Sequence, residues 1–168
     1  MNAENYYDKF SKVYDLFSSK HYYHKARKYA IERLELKPNQ AVLNIPCGTG
    51  QNLEYFQTYL KNSGLIIGID LSSGMLSRAE NKCVRNEWTN TRLLNADILQ
   101  INKDWISEKI VSKSTLEIDS ILCDLGLSGF PAWEKVIDNL LSILKPNGKI
   151  VIMDWYINKP SFRGEFVK

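Results

Sequence analysis

Three features of the sequence could together hold an adenosine-containing molecule. The first is the turn Pro46-Cys47-Gly48-Thr49-Gly50, directly after the apolar run 41–45. Glycine has no Cβ, so Gly48 and Gly50 let the backbone approach a ligand closely and take dihedrals that other residues avoid. Free amides of the helix that begins near Gln51 would then face that ligand. The second feature is Asp70, twenty positions after Gly50 and at the end of another apolar run. A carboxylate there can accept both ribose hydroxyls, or it can cap the helix near Ser72. The third is Asp97, in Asn95-Ala96-Asp97-Ile98. It can accept from an exocyclic amine while a flanking backbone amide donates to a ring nitrogen, or it can close an Asx turn.

These groups need a scaffold that brings them to one edge. Short apolar runs at 41–45, 65–69, 91–95, 118–123 and 149–153 read as strands, and 51–61, 74–86 and 133–144 have helical spacing. Strand and helix alternate, which predicts a doubly wound α/β sheet. Runs such as Ile118-Asp119-Ser120-Ile121-Leu122-Cys123 and Ile150-Val151-Ile152-Met153 suit parallel strands covered on both faces. Open sheets of this kind bind ligands at the carboxyl ends of their strands, where all three features fall. The connection 100–117 is long and holds Trp105, Ile106, Ile110 and Val111 at helical spacing, so it carries a helix of its own.

Residues 4–36 read as two helices broken near Ser18-Ser19, the first with Phe10, Val13, Tyr14 and Phe17, the second with Ala26, Tyr29, Ala30, Arg33 and Leu34 as its spaced residues. Pro38 and Asn39 end the second. One domain is expected, with 1–40 a helical cover and 41–168 the core.

With 168 residues, 44% hydrophobic and 24% charged, the chain has the composition of an ordinary folded domain. No run approaches the roughly 20 apolar residues of a membrane span, and Met1-Asn2-Ala3-Glu4-Asn5 has no signal-peptide character. A cytoplasmic protein is expected. Cys47, Cys83 and Cys123 match no zinc spacing and read as free thiols in a reducing compartment. The net charge of +3 is too small to imply a nucleic-acid partner. Between Lys20 and Arg33 lie Lys20, His21, His24, Lys25, Arg27, Lys28 and Arg33 against Glu32 alone, interleaved with Tyr22, Tyr23 and Tyr29. That run reads as a solvated helix face, with contact to an anionic lipid surface or an acidic substrate as the alternative.

Taken together, the motifs resemble those of the class I S-adenosylmethionine-dependent methyltransferases. Val42-Leu43-Asn44-Ile45-Pro46-Cys47-Gly48-Thr49-Gly50 resembles the first motif and Ile67-Gly68-Ile69-Asp70-Leu71-Ser72-Ser73-Gly74-Met75-Leu76 the segment after it. Leu94-Asn95-Ala96-Asp97-Ile98 is similar to the adenine-binding motif, and Ile118-Asp119 through Leu144-Lys145-Pro146-Asn147-Gly148-Lys149 to the fourth and fifth strands. Tyr6-Tyr7-Asp8 through Val13-Tyr14-Asp15-Leu16-Phe17 resembles the covering helix of the quinone-biosynthesis and phospholipid N-methyltransferase branch, with Tyr14 the candidate to lie over the cofactor and ordinary helix packing its alternative.

The resemblance implies a Rossmann-like, mostly parallel sheet of about five strands in the order 3-2-1-4-5, with N-terminal helices. It implies S-adenosylmethionine as cofactor, bordered by Asn44, Pro46, Cys47, Gly48, Thr49, Gly50, Asp70, Leu71, Met75, Asp97, Ile98, Asp124 and Leu125. Gly48 and Gly50 would lie along its methionine part, Asp70 on the ribose, Asp97 with Ile98 on the adenine, and Asp124 with Leu125 beside the methyl donor. The implied reaction is methyl transfer to a small-molecule or lipid acceptor, with no metal.

Two positions depart from the family. Asn44 stands where an acid is usual, keeping hydrogen-bonding capacity without the charge, and Pro46 replaces a glycine, removing a donor and fixing φ. The family also continues into two further strands, for which the residues after 154 leave little room, so the edge beside the fifth strand is expected to be exposed, or covered by a dimer or a missing segment. A truncated or non-catalytic cofactor-binding module acting with a partner is therefore a second reading. A nicotinamide-dependent oxidoreductase is a third, disfavoured because Gly50-Gln51-Asn52-Leu53 lacks the third glycine of a dinucleotide turn. His21 and His24 are the candidates for a base should the acceptor be a hydroxyl.

Overall fold

The computed structural model describes residues 20–110, 116–130 and 132–154, with side chains from Tyr23 onward. Tyr14 with the expected first helix, the side chain of His21 and the segment 155–168 lie outside the described residues.

The chain alternates as expected: α1 (Lys20–Leu34), β1 (Ala41–Asn44), α2 (Leu53–Leu60), β2 (Leu65–Asp70), α3 (Ser73–Arg85), β3 (Thr91–Asn95), α4 (Lys103–Ile110), β4 (Ile118–Asp124), α5 (Trp133–Ile143) and β5 (Leu144–Met153). The five strands form one sheet in the order β3-β2-β1-β4-β5, every pair parallel. This is the Rossmann-like arrangement the sequence predicts. The helix expected within 100–117 is α4.

Successive strand residues point to opposite faces, and two apolar clusters result. Leu43, Ile67, Ile69 and Ile121 pack with Ile106 of α4 and Val136 and Leu140 of α5. Val42, Ile66 and Leu122 pack on the other face with Ala30, Ile31 and Leu34 of α1, Leu53, Phe56 and Leu60 of α2, and Ala79 of α3. Burial on both faces is why the three central strands read as continuous runs of Ile, Leu and Val. Among the described residues no helix is long and apolar enough to cross a membrane.

Three local expectations are corrected. The strand expected at 149–153 begins at Leu144, directly after α5, with a register shift where Ile118 faces Leu144 and Ser120 faces Lys149. The helix expected from Gln51 begins at Leu53, so Gln51 and Asn52 belong to the turn. The buried stripe of α1 is Arg27, Ala30, Ile31 and Leu34, whereas Tyr29 is 58% exposed and Ala26 and Arg33 face solvent.

The register sets Asn44 opposite Gly68 and Leu122, and Asp70 opposite Asn95. The last residues of β1, β2, β3 and β4, namely Asn44, Asp70, Asn95 and Asp124, thereby share one edge of the sheet.

Candidate cofactor site

The turn after β1 is tied to both neighbouring strands, with the Ile45 amide donating to the Leu122 carbonyl at 2.9 Å and the Cys47 amide to the Ile69 carbonyl at 2.8 Å. Its two glycines both have positive φ, +53° at Gly48 and +75° at Gly50. They differ in what surrounds them. A Cβ at Gly48 would meet nothing within 4 Å, whereas one at Gly50 would lie 2.8 Å from Leu53 Cδ1 and 3.0 Å from the Cβ of Ala79. Only Gly48 leaves room for a ligand; the gap at Gly50 is used to pack α2 against α3, not to admit one.

Separable effects are therefore expected. Gly48→Ala carries the left-handed backbone cost of roughly 1–2 kcal/mol and sets a methyl group into the open space beside the turn. Gly50→Ala carries the same cost plus overpacking of roughly 1–3 kcal/mol. Urea unfolding should rank Gly50→Ala the less stable, and ligand titration should rank Gly48→Ala the weaker binder for its stability.

Asp70 anchors this turn. Its Oδ2 accepts from the Gly48 amide at 2.7 Å and its Oδ1 from the Ser72 amide at 2.9 Å. The expected helix-start contact is present, and a carboxylate with about four lone-pair positions can accept more. Ser72 caps α3, its Oγ accepting from the amide of Met75, which is buried in the first turn. Thr49 is buried, with Lys82 Nζ donating to its Oγ1 at 3.4 Å. Asn95 Nδ2 donates to the carbonyls of Asp70 at 3.0 Å and Leu71 at 2.7 Å, fixing the exposed Leu71 at the crevice edge.

Asp97 closes an Asx turn, accepting from the Leu99 amide at Oδ1 over 2.9 Å. This is the local role weighed against adenine contact, and it leaves Oδ2 for another donor. The Ile98 side chain is buried in the apolar cluster, which leaves its backbone, the part the sequence reading assigns to a ring, at the turn.

At the meeting of β1 and β4 a polar network is buried. Asn44 Nδ2 donates to the Leu122 carbonyl at 3.3 Å, and Asn44 Oδ1 accepts from Asn52 Nδ2 at 3.2 Å. The same Asn52 nitrogen donates to Asp124 Oδ2 at 2.7 Å, and Arg27 Nε reaches that oxygen at 3.4 Å. Arg27 Nη1 also donates to Gln51 Oε1. Burial pushes the Asp124 carboxyl above its ordinary range, against the opposing pull of Asn52 and Arg27. Leu125 follows at φ +53°, its amide donating to the Met153 carbonyl at 2.7 Å. Beyond it, Gly126 is required by Pro46, since a Cβ there would lie 2.4 Å from the proline Cδ.

A loop, an acid-tipped second strand and a buried carboxylate at the fourth strand are thus set along one edge of a 3-2-1-4-5 sheet. The profile of the family described as a methyltransferase domain matches residues 36–164. The chain belongs to this family. It is a class I methyltransferase fold, and its cofactor is S-adenosylmethionine. It is 28% identical over 131 residues to the ubiquinone/menaquinone biosynthesis C-methyltransferase of Wigglesworthia glossinidia brevipalpis, across 78% of this chain and 47% of that protein. It is 24% identical over 152 residues to the demethylmenaquinone methyltransferase of Oceanobacillus iheyensis, across 90% and 59%. The chain spans about half the length of these curated relatives. A solved SAM-dependent methyltransferase from Aquifex aeolicus superposes with a TM-score of 0.61 at 20% identity, covering 80% of this chain and 68% of that one.

Two residues of the buried polar network escaped sequence reading. Arg27 lies in what reads as a solvated basic face, yet it is 3% exposed. Its signal was position: it shares the stripe of Ala30, Ile31 and Leu34 at helical spacing. Asn52 directly precedes α2, yet its side chain makes no cap bond and turns inward to Asn44 and Asp124. His24, by contrast, is exposed and bonded through Nδ1 to the Tyr55 hydroxyl at 2.6 Å, joining α1 to α2.

The cysteines are free, as expected. Burial pushes the Cys47 thiol well up, with Asp70 adding to it, and carries Cys123 to about 12. Because the thiolate is the reactive form, a thiol reagent at pH 8 should modify the half-buried Cys83 first. Cys47 and Cys123 should react only on unfolding, as peptide mass analysis would show.

Proposed function

We propose that the methyltransferase domain transfers a methyl group from S-adenosylmethionine to a small-molecule acceptor, in the first instance a quinone-type ring. The observation that carries this reading is the Asp70-anchored turn, in which the Gly48 amide is held while its Cα faces open space. Bound S-adenosylmethionine supplies an electrophilic methyl group on a sulfonium. The chain's part is then largely alignment in a site from which water is excluded.

Asp70 fits the ribose, since it lies at the end of β2 with its carboxylate already rigidly held by two amides. Asp97 Oδ2 fits the exocyclic amine of the adenine, with the backbone beside Ile98 meeting the ring. Leu71 and Met75 border the nucleoside, and Asn44, Cys47 and Thr49 shape the turn from within. Asp124 and Leu125 border the methyl donor. The two quinone-biosynthesis relatives, both matched over more than three quarters of this chain, favour the quinone-type acceptor.

The test is transfer of tritiated methyl from S-adenosylmethionine into demethylmenaquinone and, in parallel, into a lipid extract. Label in the quinone supports the proposal. Label in a different lipid alone replaces the acceptor class, and no label despite tight binding of S-adenosylhomocysteine counts against transfer by this chain.

A further inference from the structure

Helix α1 runs from one edge of the sheet toward the other. Its end leads into the start of β1 at Ala41, yet Arg27 in its middle meets Asp124 at the end of β4. The helix therefore descends from the carboxyl edge, and His24, three residues before Arg27, stands about 4.5 Å higher along its axis, above that edge. Helix α2 leaves the same edge from the glycine turn, with Tyr55 in its first turn. There His24 Nδ1 and the Tyr55 hydroxyl lie 2.6 Å apart, with 5.7 Å between ring centroids. The Tyr23 ring lies 5.5 Å from the Arg27 guanidinium. This turn of α1 is thus tied to β4 through Arg27 and to α2 through His24.

Transfer to a ring hydroxyl, or to the carbon beside one, needs the hydroxyl proton removed. The carboxylates along the edge already accept from protein donors: Asp70 from Gly48 and Ser72, Asp97 from Leu99, Asp124 from Asn52, and Asp154 from Ser128. His24 is exposed, and its side chain is the one imidazole among the described residues. Imidazole is the group suited to exchanging protons near neutral pH. With Nδ1–H donating to the Tyr55 oxygen, Nε2 keeps its lone pair, and the same bond persists once the ring is charged.

We infer that His24 is the general base for a hydroxyl-bearing aromatic acceptor and that Tyr55 positions it. This rests on the methyl-transfer reading and names the form of acceptor it serves, the dihydroxy form of the quinone-type ring. Nε2 takes a hydroxyl proton and the oxygen's electron pair drives the adjacent ring carbon onto the methyl carbon. The carbon–sulfur bond breaks with its pair passing to sulfur. The ring C–H proton then leaves to water, and His24 returns its proton to the oxygen.

The experiment is label transfer into chemically reduced demethylmenaquinone by wild type and His24→Asn, with affinity for S-adenosylhomocysteine measured alongside. Asparagine keeps a donor where Nδ1 stood and offers no base. Its kcat should fall by about a hundredfold, the low end of general-base catalysis, with affinity for S-adenosylhomocysteine within about twofold of wild type. Added imidazole should restore part of the variant's rate and leave the wild type unchanged. Tyr55→Phe, which removes one hydroxyl, should lower kcat by about tenfold through lost orientation, again with affinity kept. A His24→Asn kcat within about twofold of wild type, or a loss that imidazole leaves untouched, overturns the base role. A parallel fall in affinity overturns it too, since the residue would then only join α1 to α2. An unchanged Tyr55→Phe removes the positioning role. A wild type that binds S-adenosylhomocysteine yet labels no acceptor overturns transfer itself, and this inference with it.

Discussion

Asp124→Asn should unfold at much lower urea than the wild type, and adding Arg27→Met should recover most of the loss. The single change leaves the Arg27 guanidinium buried, at 3% exposure, without a counter-charge. Breaking a buried pair in this way costs roughly 3–5 kcal/mol. Arg27→Met should cost less, because the carboxylate it strands can take up a proton. The double variant strands neither charge, and replacement of a buried ion pair by neutral groups is often close to neutral. The two single losses should therefore exceed the double loss by more than about 2 kcal/mol, where additive sites would agree within about 0.5 kcal/mol. Additivity would show that the pair is not energetically coupled.

The same carboxyl gives a pH dependence with a defined sign. Asp124 is raised above its ordinary value of 3.8, first by burial. The folded chain thus binds its proton more tightly than the unfolded chain does. Its contribution to stability is full below pH 3.8 and is lost as pH rises through the folded value. Comparing urea midpoints of the wild type and the Arg27→Met, Asp124→Asn double variant, which strands neither charge, across this window should show the wild type losing ground to the double variant as pH rises.

Asp70→Asn is expected to have the second large effect, and on binding more than on stability. Asp70 accepts from two amides through different oxygens. Asparagine keeps one acceptor and turns its NH₂ toward the other amide, leaving a donor unsatisfied at roughly 1–3 kcal/mol. The Gly48 turn would then lose the contact that holds it open. Affinity for S-adenosylhomocysteine should fall by about a hundredfold, given the cost of losing a charged acceptor, while thermal unfolding shows a smaller change. A variant that binds as the wild type does would remove Asp70 from the site.

The sheet and its edge were legible because the central strands are buried on both faces and so stand out as apolar runs between amphipathic stretches. The strand-end acids were legible for the same reason, since polar residues that terminate such runs must lie at the rim. Arg27 was not, because a charged residue on a helix ordinarily faces water and its partner Asp124 lies 97 positions away. Of the residues spaced along α1, Ala30 and Leu34 enter the core together with Ile31, whereas Tyr29 and Arg33 stay in the solvated face. Asn52 was hidden by its own versatility, since an asparagine before a helix usually caps it. Gly50 could not be separated from Gly48 without knowing that Ala79 packs against it.

The central claim is that this edge of the methyltransferase domain binds S-adenosylmethionine and not a dinucleotide. Parallel calorimetric titrations with S-adenosylhomocysteine and NAD test it most directly. Saturable heat with S-adenosylhomocysteine and only dilution heat with NAD is the predicted result, and saturable binding of NAD alone would contradict it.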